Sequence, residues 1–163
     1  MISKIKILDE LGKICGDLRA QSKILVTANG VFDLIHPGHV FFLEEAKSAG
    51  NILVVGINSD NSVKQNKGPK RPINDEQYRA KVIAGLGCVD YVAIFDELEP
   101  IEFLRTVRPN IHYLGEKYAR SENRIKEMDV VENELRGRCA FTTYTDNSST
   151  NVIDKILGVY GNG

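Results

Sequence analysis

The chain lacks most of the features that mark a membrane, secreted or nucleic-acid-binding protein. It has 163 residues and no tryptophan. Its formal net charge is −1, so there is no global basic field to attract nucleic acid. No apolar run approaches the roughly 18 residues of a membrane span. The first residues lack the continuous apolar core of a signal peptide. These absences predict a cytoplasmic protein that binds neither membranes nor nucleic acid.

Cysteine is also scarce, since the chain contains only Cys15, Cys88 and Cys139. Their number is odd, and their spacing matches neither a disulfide framework nor a set of metal ligands. We therefore expect three small buried apolar side chains and no metal site built by the protein alone.

What the chain does contain is a regular alternation of strand and helix patterns. An apolar stripe from Ile2 to Leu18 predicts an N-terminal helical extension over residues 1–22, weakened at Gly12 and Gly16. Because strands alternate with helices, we predict the α/β class, with a Rossmann-like doubly wound parallel sheet in a single domain over residues 1–163. Strands are predicted at 23–27, 51–58, 91–95, 111–114 and 139–144.

The most informative segment is the turn after the first predicted strand. It reads Asn29-Gly30-Val31-Phe32-Asp33-Leu34-Ile35-His36-Pro37-Gly38-His39 and holds two of the three histidines. Ligands bind at strand ends in parallel sheets, and a helix N-terminus offers N–H groups and a positive dipole end to phosphate. Both imidazoles are therefore predicted to donate hydrogen bonds to phosphoryl oxygens. A helix cap and a core histidine are the alternative interpretation.

A basic polar segment, Lys64 to Ile73, follows the second predicted strand. It carries four positive charges and no negative one. We predict a loop at the same sheet edge as the histidines that folds over a triphosphate as a lid, with Lys64 and Lys67 on phosphate. A solvated surface loop is the alternative. Arg79 on the next helix is a candidate for a bidentate phosphate contact, or else for a surface ion pair.

Three further positions complete the set of candidates. The run Ser148-Ser149-Thr150-Asn151 opens the last predicted helix, where hydroxyls cap the helix and offer a second phosphate cradle. Asp33 is a candidate for contact with substrate or with a metal. His112 lies inside a predicted strand, so we interpret it as structural.

These motifs together resemble the cytidylyltransferase-like nucleotidyltransferases, which carry a His-x-Gly-His signature. Within them, the chain is most similar to the adenylyltransferases of bacterial ADP-heptose synthesis. The resemblance runs from about residue 24 to residue 156. The motifs that carry it are, in order, Thr27–Asp33, His36–His39, Val54–Asp60, Lys64–Gly68, Arg71–Asn74 with Arg79, Gly87–Asp90 and Ser148–Ile153.

The resemblance implies a role for each matching residue. It implies that four side chains act in catalysis: His36, His39, Lys67 and Arg79. It implies nucleotide contacts from Val31, Phe32, Gly38, Lys64, Gly115, Ser148, Ser149 and Thr150. It implies contacts with the acceptor substrate from Asp33, Asn58 and Lys117. One departure lies at Leu114-Gly115-Glu116-Lys117-Tyr118, where Lys117 stands in place of the acid usual in the heptose family.

The resemblance also implies a reaction and partners. A nucleoside monophosphate would pass from a nucleoside triphosphate, with its bound Mg²⁺, to a small phosphorylated acceptor, and pyrophosphate would be released. ATP and heptose 1-phosphate are the implied pair, in a homodimer served by a separate sugar kinase. Two alternatives stay open: a CTP-dependent enzyme acting on glycerol 3-phosphate or another alcohol or sugar phosphate, and a non-catalytic nucleotide-binding regulator.

Overall fold

Five parallel strands form the centre of the fold in a computed structural model whose described residues are 3–115, 122–143 and 149–161. The strands are β1 (Leu25–Gly30), β2 (Ile52–Asn58), β3 (Tyr91–Phe95), β4 (Ile111–Leu114) and β5 (Arg138–Phe141). The sheet order is β3-β2-β1-β4-β5, so the chain builds outward from β1 first to one side and then to the other. The predicted α/β class with a Rossmann-like parallel sheet is confirmed.

Helices cover both faces of this sheet. The helices are α1 (Leu8–Ala20), α2 (Pro37–Ser48), α3 (Asp60–Lys67), α4 (Glu76–Gly85), α5 (Ile101–Val107), α6 (Glu122–Asp129) and α7 (Ser149–Tyr160). The first face of the sheet packs against α2 and α4, and the second against α1 and α5. A π-helical turn, Val130–Glu134, continues α6. In the described part of the chain, no helix combines the length and the apolar character needed to cross a membrane.

The two covered faces explain why the central strands are continuously apolar. In β1, Val26 belongs to the core cluster with α2 and α4, whereas its neighbour Leu25 belongs to the cluster with α1 and α5. Leu53 and Val54 divide in the same way on β2. Burying such a side chain contributes about 1.5–3 kcal/mol. The double core therefore fixes the register of the strands and the position of their carboxyl ends, where the candidate residues lie.

The N-terminal helix differs from its prediction at its start. The helix begins at Leu8, not at residue 2, and it runs through Gly12 and Gly16 without a break. Leu11 and Cys15 on this helix are fully buried in the second core. This packing outweighs the intrinsic cost of glycine in a helix, which is about 1 kcal/mol per residue.

The residues before α1 add to the edge of the sheet. Ile5 forms an isolated parallel bridge with Val92. The N–H of Lys6 donates to the carbonyl of Val92, and the N–H of Val92 donates to the carbonyl of Lys4, both at 2.9 Å. This extended segment therefore lies along the outer side of β3.

The basic segment was predicted as a loop, and that prediction was wrong for its first part. Residues up to Lys67 belong to α3, and the loop starts at Gly68. Ser59 explains the helix, because its side-chain oxygen accepts the N–H of Ser62 at 3.0 Å and caps the N-terminus. The basic residues then occupy the last turn, where they complement the helix dipole.

The buried face of α4 includes a charged residue. Ala80 and Ile83 are fully buried, and Arg79 is almost so. Tyr78 and Val82, although largely apolar, are exposed. An arginine thus occupies a core-facing position of this helix.

The three cysteines lie in or against the two core clusters. All three are free; Cys15 is buried, and Cys88 and Cys139 are partly buried. Burial raises the pKa of Cys15 to about 11 and that of Cys139 to about 12. The expectation of buried small side chains is confirmed for Cys15 and holds in part for the other two.

Candidate active site

His36 and His39 stand together at the N-terminus of α2, directly after β1. Their ring centroids lie 3.8 Å apart, and the ring planes differ by 31°. His36 is the N-cap residue, Pro37 occupies the start of the helix, and the first turn contains no acidic residue. Gly38 in the same turn is buried. Two imidazoles and the positive end of a helix thus converge at one point, as an anion-binding site requires.

Hydrogen bonding indicates which nitrogen of His39 carries the proton. The backbone N–H of His36 donates to Nδ1 of His39 over a long distance of 3.4 Å. Because Nδ1 accepts this bond, the neutral ring holds its proton on Nε2. Nε2 is therefore the nitrogen of His39 that donates.

Phe32 supports His39 from a strained turn. Its φ is 51°, in the left-handed region that non-glycine residues rarely adopt, and such a residue costs about 1–3 kcal/mol. The buried ring meets His39 edge-on, with 5.3 Å between centroids. A Cβ at Gly30 would lie 3.1 Å from this ring, so glycine leaves the room that the ring needs. The turn at Phe32 therefore positions the imidazole of His39 by packing an aromatic ring against it.

Arg79 lies inside the protein, although the prediction placed it on a phosphate. Its guanidinium is fully buried and donates three hydrogen bonds. Nη2 reaches the carboxylate of Asp60 at 2.7 Å, Nη1 the carbonyl of Val31 at 2.6 Å and Nε the carbonyl of Asn74 at 3.0 Å. These acceptors come from α3, from the turn after β1 and from the loop before α4. Arg79 thus joins three segments at the strand ends.

Asp33 is likewise turned inward and does not face a substrate or metal. Its carboxylate accepts the Nε–H of Arg71 at 2.8 Å and the N–H groups of Ile73 and Asn74 at 2.9 Å each. The side chain is almost completely buried. These donors satisfy its charge, which explains the difference from the prediction. We call Asp33, Arg71, Asn74, Arg79 and Asp60 the arginine network.

The lysines of the basic segment are exposed in the last turn of α3. An open groove of about 800 Å³ lies beside Lys64. Four carboxylates and a single lysine line this groove, so it is unsuited to a triphosphate. The histidine turn is the better candidate for phosphate. The residues lining the groove are Ser59, Asp60, Asn61, Lys64, Asp75, Glu76, Gln77, Ile94 and Asp96.

Of the other predicted positions, two lie at strand ends and two open the last helix. Asn58 ends β2, is buried, and donates from Nδ2 to the hydroxyl of Ser62 at 3.0 Å. Gly115 follows β4 directly, and Ser149 and Thr150 open α7. Lys117 and Ser148 lie outside the described residues.

The strand order brings the histidine turn to a topological switch point. From β1, the sheet extends through β2 and β3 on one side and through β4 and β5 on the other. In open parallel sheets, ligands bind in the crevice outside the strand ends where this reversal occurs. The histidine turn follows β1 and Gly115 follows β4, so both lie at this crevice.

His112 is structural, as predicted. It is fully buried in β4, with Nδ1 at 2.8 Å from the hydroxyl of Thr27 and Nε2 at 3.2 Å from the carboxylate of Glu127. It therefore connects β1 to α6 through the sheet.

Glu45 and its threonine partners were missed by sequence reasoning. The carboxylate of Glu45, on α2, accepts hydroxyl hydrogen bonds from both Thr142 and Thr143. No motif or periodicity indicated these contacts, because the partners are 97 and 98 residues apart in the chain.

The surroundings of the histidine turn fit a magnesium ion that arrives with a nucleotide. Across residues 3–115, 122–143 and 149–161, no three His, Cys, Asp or Glu side chains converge as a metal-binding group. The carboxylate of Asp33 is occupied by the loop that follows α3. Mg²⁺ usually keeps several waters and binds substrate phosphates with few protein ligands. A nucleotide-borne ion is compatible with this site.

The switch-point crevice, the parallel sheet and the histidine pair together define a nucleotide-binding α/β domain. The sequence profile of the family described as "Cytidylyltransferase-like" matches residues 27–155. The chain therefore belongs to the cytidylyltransferase-like family.

Curated relatives extend this match over nearly the whole chain. The chain is 46% identical over 160 residues to the "Bifunctional protein HldE" of Geobacter metallireducens, covering 98% of this chain and 32% of that protein. It is 42% identical over 160 residues to the protein of the same name from Geobacter sulfurreducens, with the same coverage. The chain thus spans about a third of the length of these relatives.

Solved structures agree with the fold. The lipopolysaccharide core biosynthesis protein from Thermoplasma volcanium superposes with a TM-score of 0.64 and 32% identity, covering 76% of this chain and 99% of that one. Pantoate-beta-alanine ligase from Francisella tularensis superposes with a TM-score of 0.62 and 18% identity, covering 89% and 68%. The second likeness concerns the fold alone.

Proposed function

We propose that the protein is a nucleotidyltransferase that transfers a nucleoside monophosphate from a nucleoside triphosphate to a phosphorylated sugar. ATP and heptose 1-phosphate are the proposed substrates, and ADP-heptose and pyrophosphate the products. The observation that carries the proposal is the pair of histidine rings, 3.8 Å apart at a helix N-terminus beside the switch-point crevice. Family membership, the HldE relatives and the similar lipopolysaccharide core protein support it.

The proposed chemistry is an in-line displacement at phosphorus. A phosphate oxygen of the acceptor forms a bond to the α-phosphorus, the bond from that phosphorus to the bridging oxygen breaks, and pyrophosphate leaves. A phosphate monoester is already anionic at neutral pH, so its oxygen needs no general base. Catalysis then consists of positioning and charge stabilisation.

His36 and His39 supply the charge stabilisation in this scheme. Negative charge on the phosphoryl oxygens is stabilised by imidazole donors and by the N-terminus of α2. Nε2–H of His39 is the donor that its hydrogen bond with the backbone of His36 predicts. Lys64 and Lys67, exposed on α3, add positive charge for the triphosphate and acceptor phosphate. Mg²⁺ bound to the triphosphate would neutralise phosphate charge.

Partners follow from the same proposal. The acceptor is a phosphorylated sugar, so a sugar kinase has to supply it, and we propose that this kinase is a separate protein. We also propose a homodimer, as the family resemblance implies, and a cytoplasmic location. Analytical ultracentrifugation tests the dimer, and an assay of this chain with unphosphorylated sugar and ATP tests for kinase activity.

The decisive experiment measures pyrophosphate release in the presence of magnesium. ATP, CTP and GTP are each combined with heptose 1-phosphate and with glycerol 3-phosphate. Release with ATP and heptose 1-phosphate alone is the expected result. Release with CTP and glycerol 3-phosphate would instead assign the chain to the cytidylyltransferase alternative. Nucleotide binding without release in any combination would support the non-catalytic regulator.

A further inference from the structure

Glu45 connects α2 to the chain that leaves β5. Each oxygen of its carboxylate accepts one threonine hydroxyl: Oε2 from Thr142, and Oε1 from Thr143 at 2.8 Å. Thr142 is buried, and its N–H donates to the carbonyl of Leu114 at 2.9 Å. The segment after β5 is therefore held from two directions, by β4 through the backbone and by α2 through the carboxylate.

The charge of the Glu45 carboxylate also affects Tyr113, which belongs to an aromatic pair. Phe42, also on α2, packs against Tyr113 of β4 with 5.8 Å between ring centroids. Burial, and after it the negative charge of Glu45, raises the pKa of the Tyr113 phenol. Tyr113 is thus a natural reporter of the charge at Glu45.

The connection links two parts of the proposed nucleotide site. On α2, His39 precedes Glu45 by roughly two helical turns. In the other direction, the backbone bond from Thr142 to Leu114 reaches the end of β4, and Gly115, the next residue, lies at the switch-point crevice. Glu45 therefore ties the helix of the histidine pair, through Thr142, to the end of β4 at the same crevice.

We propose that Glu45 is a positioning residue for nucleotide binding, which holds Thr142 and Thr143 against α2 and so sets the spacing between the histidine turn and the end of β4 across the crevice. This inference rests on the proposed nucleotidyltransferase function. Glu45 supports the geometry of the bound triphosphate and makes no contact with the reacting atoms. Its loss therefore weakens nucleotide binding more than it slows the chemical step.

The test compares Glu45→Gln and Glu45→Ala with a matched control. Glu44→Gln removes the same charge from the adjacent, exposed position of the same helix. We expect the KM for triphosphate to rise about tenfold in Glu45→Ala and less in Glu45→Gln, which keeps one acceptor oxygen, with kcat within about twofold of the parent. Glu44→Gln should match the parent protein. Thr143→Val should raise KM, and Thr143→Ser should restore it.

Two further measurements make the inference independent of turnover. Calorimetry gives the nucleotide Kd of each variant. Ultraviolet titration of tyrosinate, assigned with Tyr113→Phe, should show a lower Tyr113 pKa in Glu45→Gln and no change in Glu44→Gln, while thermal melting confirms that both variants are folded.

The outcomes separate the two proposals. If Glu45→Gln and Glu44→Gln have equal KM and Kd for nucleotide, or if kcat falls with KM unchanged, the inference is overturned and the proposed function stands. If the parent binds nucleotide without turnover and Kd still rises in Glu45→Ala, the inference stands and the proposed function fails. If the parent binds no nucleotide, both fail.

Discussion

The histidine turn and the arginine network both lie next to the end of β1, and both are rich in basic side chains. In the turn, two imidazoles lie against each other at a helix N-terminus without an acidic neighbour in the first helical turn. In the network, Arg79 and Arg71 are committed to Asp60, Asp33 and backbone carbonyls. Basic residues that the fold gathers at one strand end thus divide into a group placed for a ligand and a group that holds the loops around it.

The difference follows from burial and from the number of protein partners. A buried guanidinium with three acceptors cannot turn toward a ligand without leaving a carboxylate and two carbonyls unsatisfied. The lysines of α3 have exposed side chains, so they can reorient at little cost. Four experiments test this division, beginning with the largest expected effect.

Replacing Arg79 by methionine should destabilise the fold. The change leaves the Asp60 carboxylate and the carbonyls of Val31 and Asn74 without their donor, and breaking a buried pair costs about 3–5 kcal/mol. Urea denaturation measures the free energy of unfolding. Arg105→Met is the control, because Arg105 pairs with Glu102 and Glu134 on the surface, where such pairs contribute about 1 kcal/mol or less. If both variants are equally stable, the buried contacts of Arg79 contribute little, and Arg79 is again a candidate for binding phosphate.

Replacing His39 by alanine should act on turnover and not on the fold. Removing one donor that stabilises transition-state charge costs about 10²-fold or more in kcat. Pyrophosphate release gives kcat, and circular dichroism compares the melting temperatures. Near-normal turnover in this variant would show that His39 does not stabilise charge in the transition state.

Lys64→Gln and Lys67→Gln should affect nucleotide binding alone. Loss of one exposed phosphate-binding charge should raise the KM for triphosphate about tenfold, while stability changes by less than about 0.5 kcal/mol, as for most surface substitutions. Lys70→Gln is the matched control, since Lys70 is exposed in the same basic segment but beyond the helix. An equal effect of all three changes would indicate only a general electrostatic attraction.

Cys15 provides the smallest expected effect, because burial raises the pKa of its thiol and so suppresses its ionisation. Burial raises the pKa of its thiol from 9.0 to about 11, so the unfolded thiol ionises first as the pH rises. The resulting stability is fully present below pH 9 and is lost as the pH passes through about 11. Between about pH 8 and pH 10, the parent should lose about 1 kcal/mol more unfolding free energy than Cys15→Ala. Parallel pH profiles of the two proteins would show that the thiol is not buried as described.

The sequence predicted the strands better than it predicted the segments between them. The bounds of β3 and β4 agree with the structure residue for residue, because short apolar runs between polar turns leave little freedom. The helix α3 escaped prediction because it carries little apolar periodicity, with Val63 as its buried apolar side chain.

In the candidate site, too, the sequence predicts the local features and misses the contacts between distant residues. The histidine pair could be recognised because its members are three residues apart and their helix is local. The engagement of Arg79 by Val31, and of Asp33 by Arg71, joins residues 48 and 38 positions apart, and only the fold brings them together. The contacts of Glu45 join residues that are still further apart in the sequence, so no local sequence pattern predicts them.

The extended segment before α1 has a consequence for association between molecules. β3 lies at an edge of the sheet, and an edge strand with unpaired backbone groups can template pairing with another chain. Lys4, Ile5 and Lys6 already occupy part of that edge through two backbone hydrogen bonds with Val92. The strand of a second molecule can add there only by displacing these residues, so residues 4–6 protect this edge of the sheet against strand pairing between molecules.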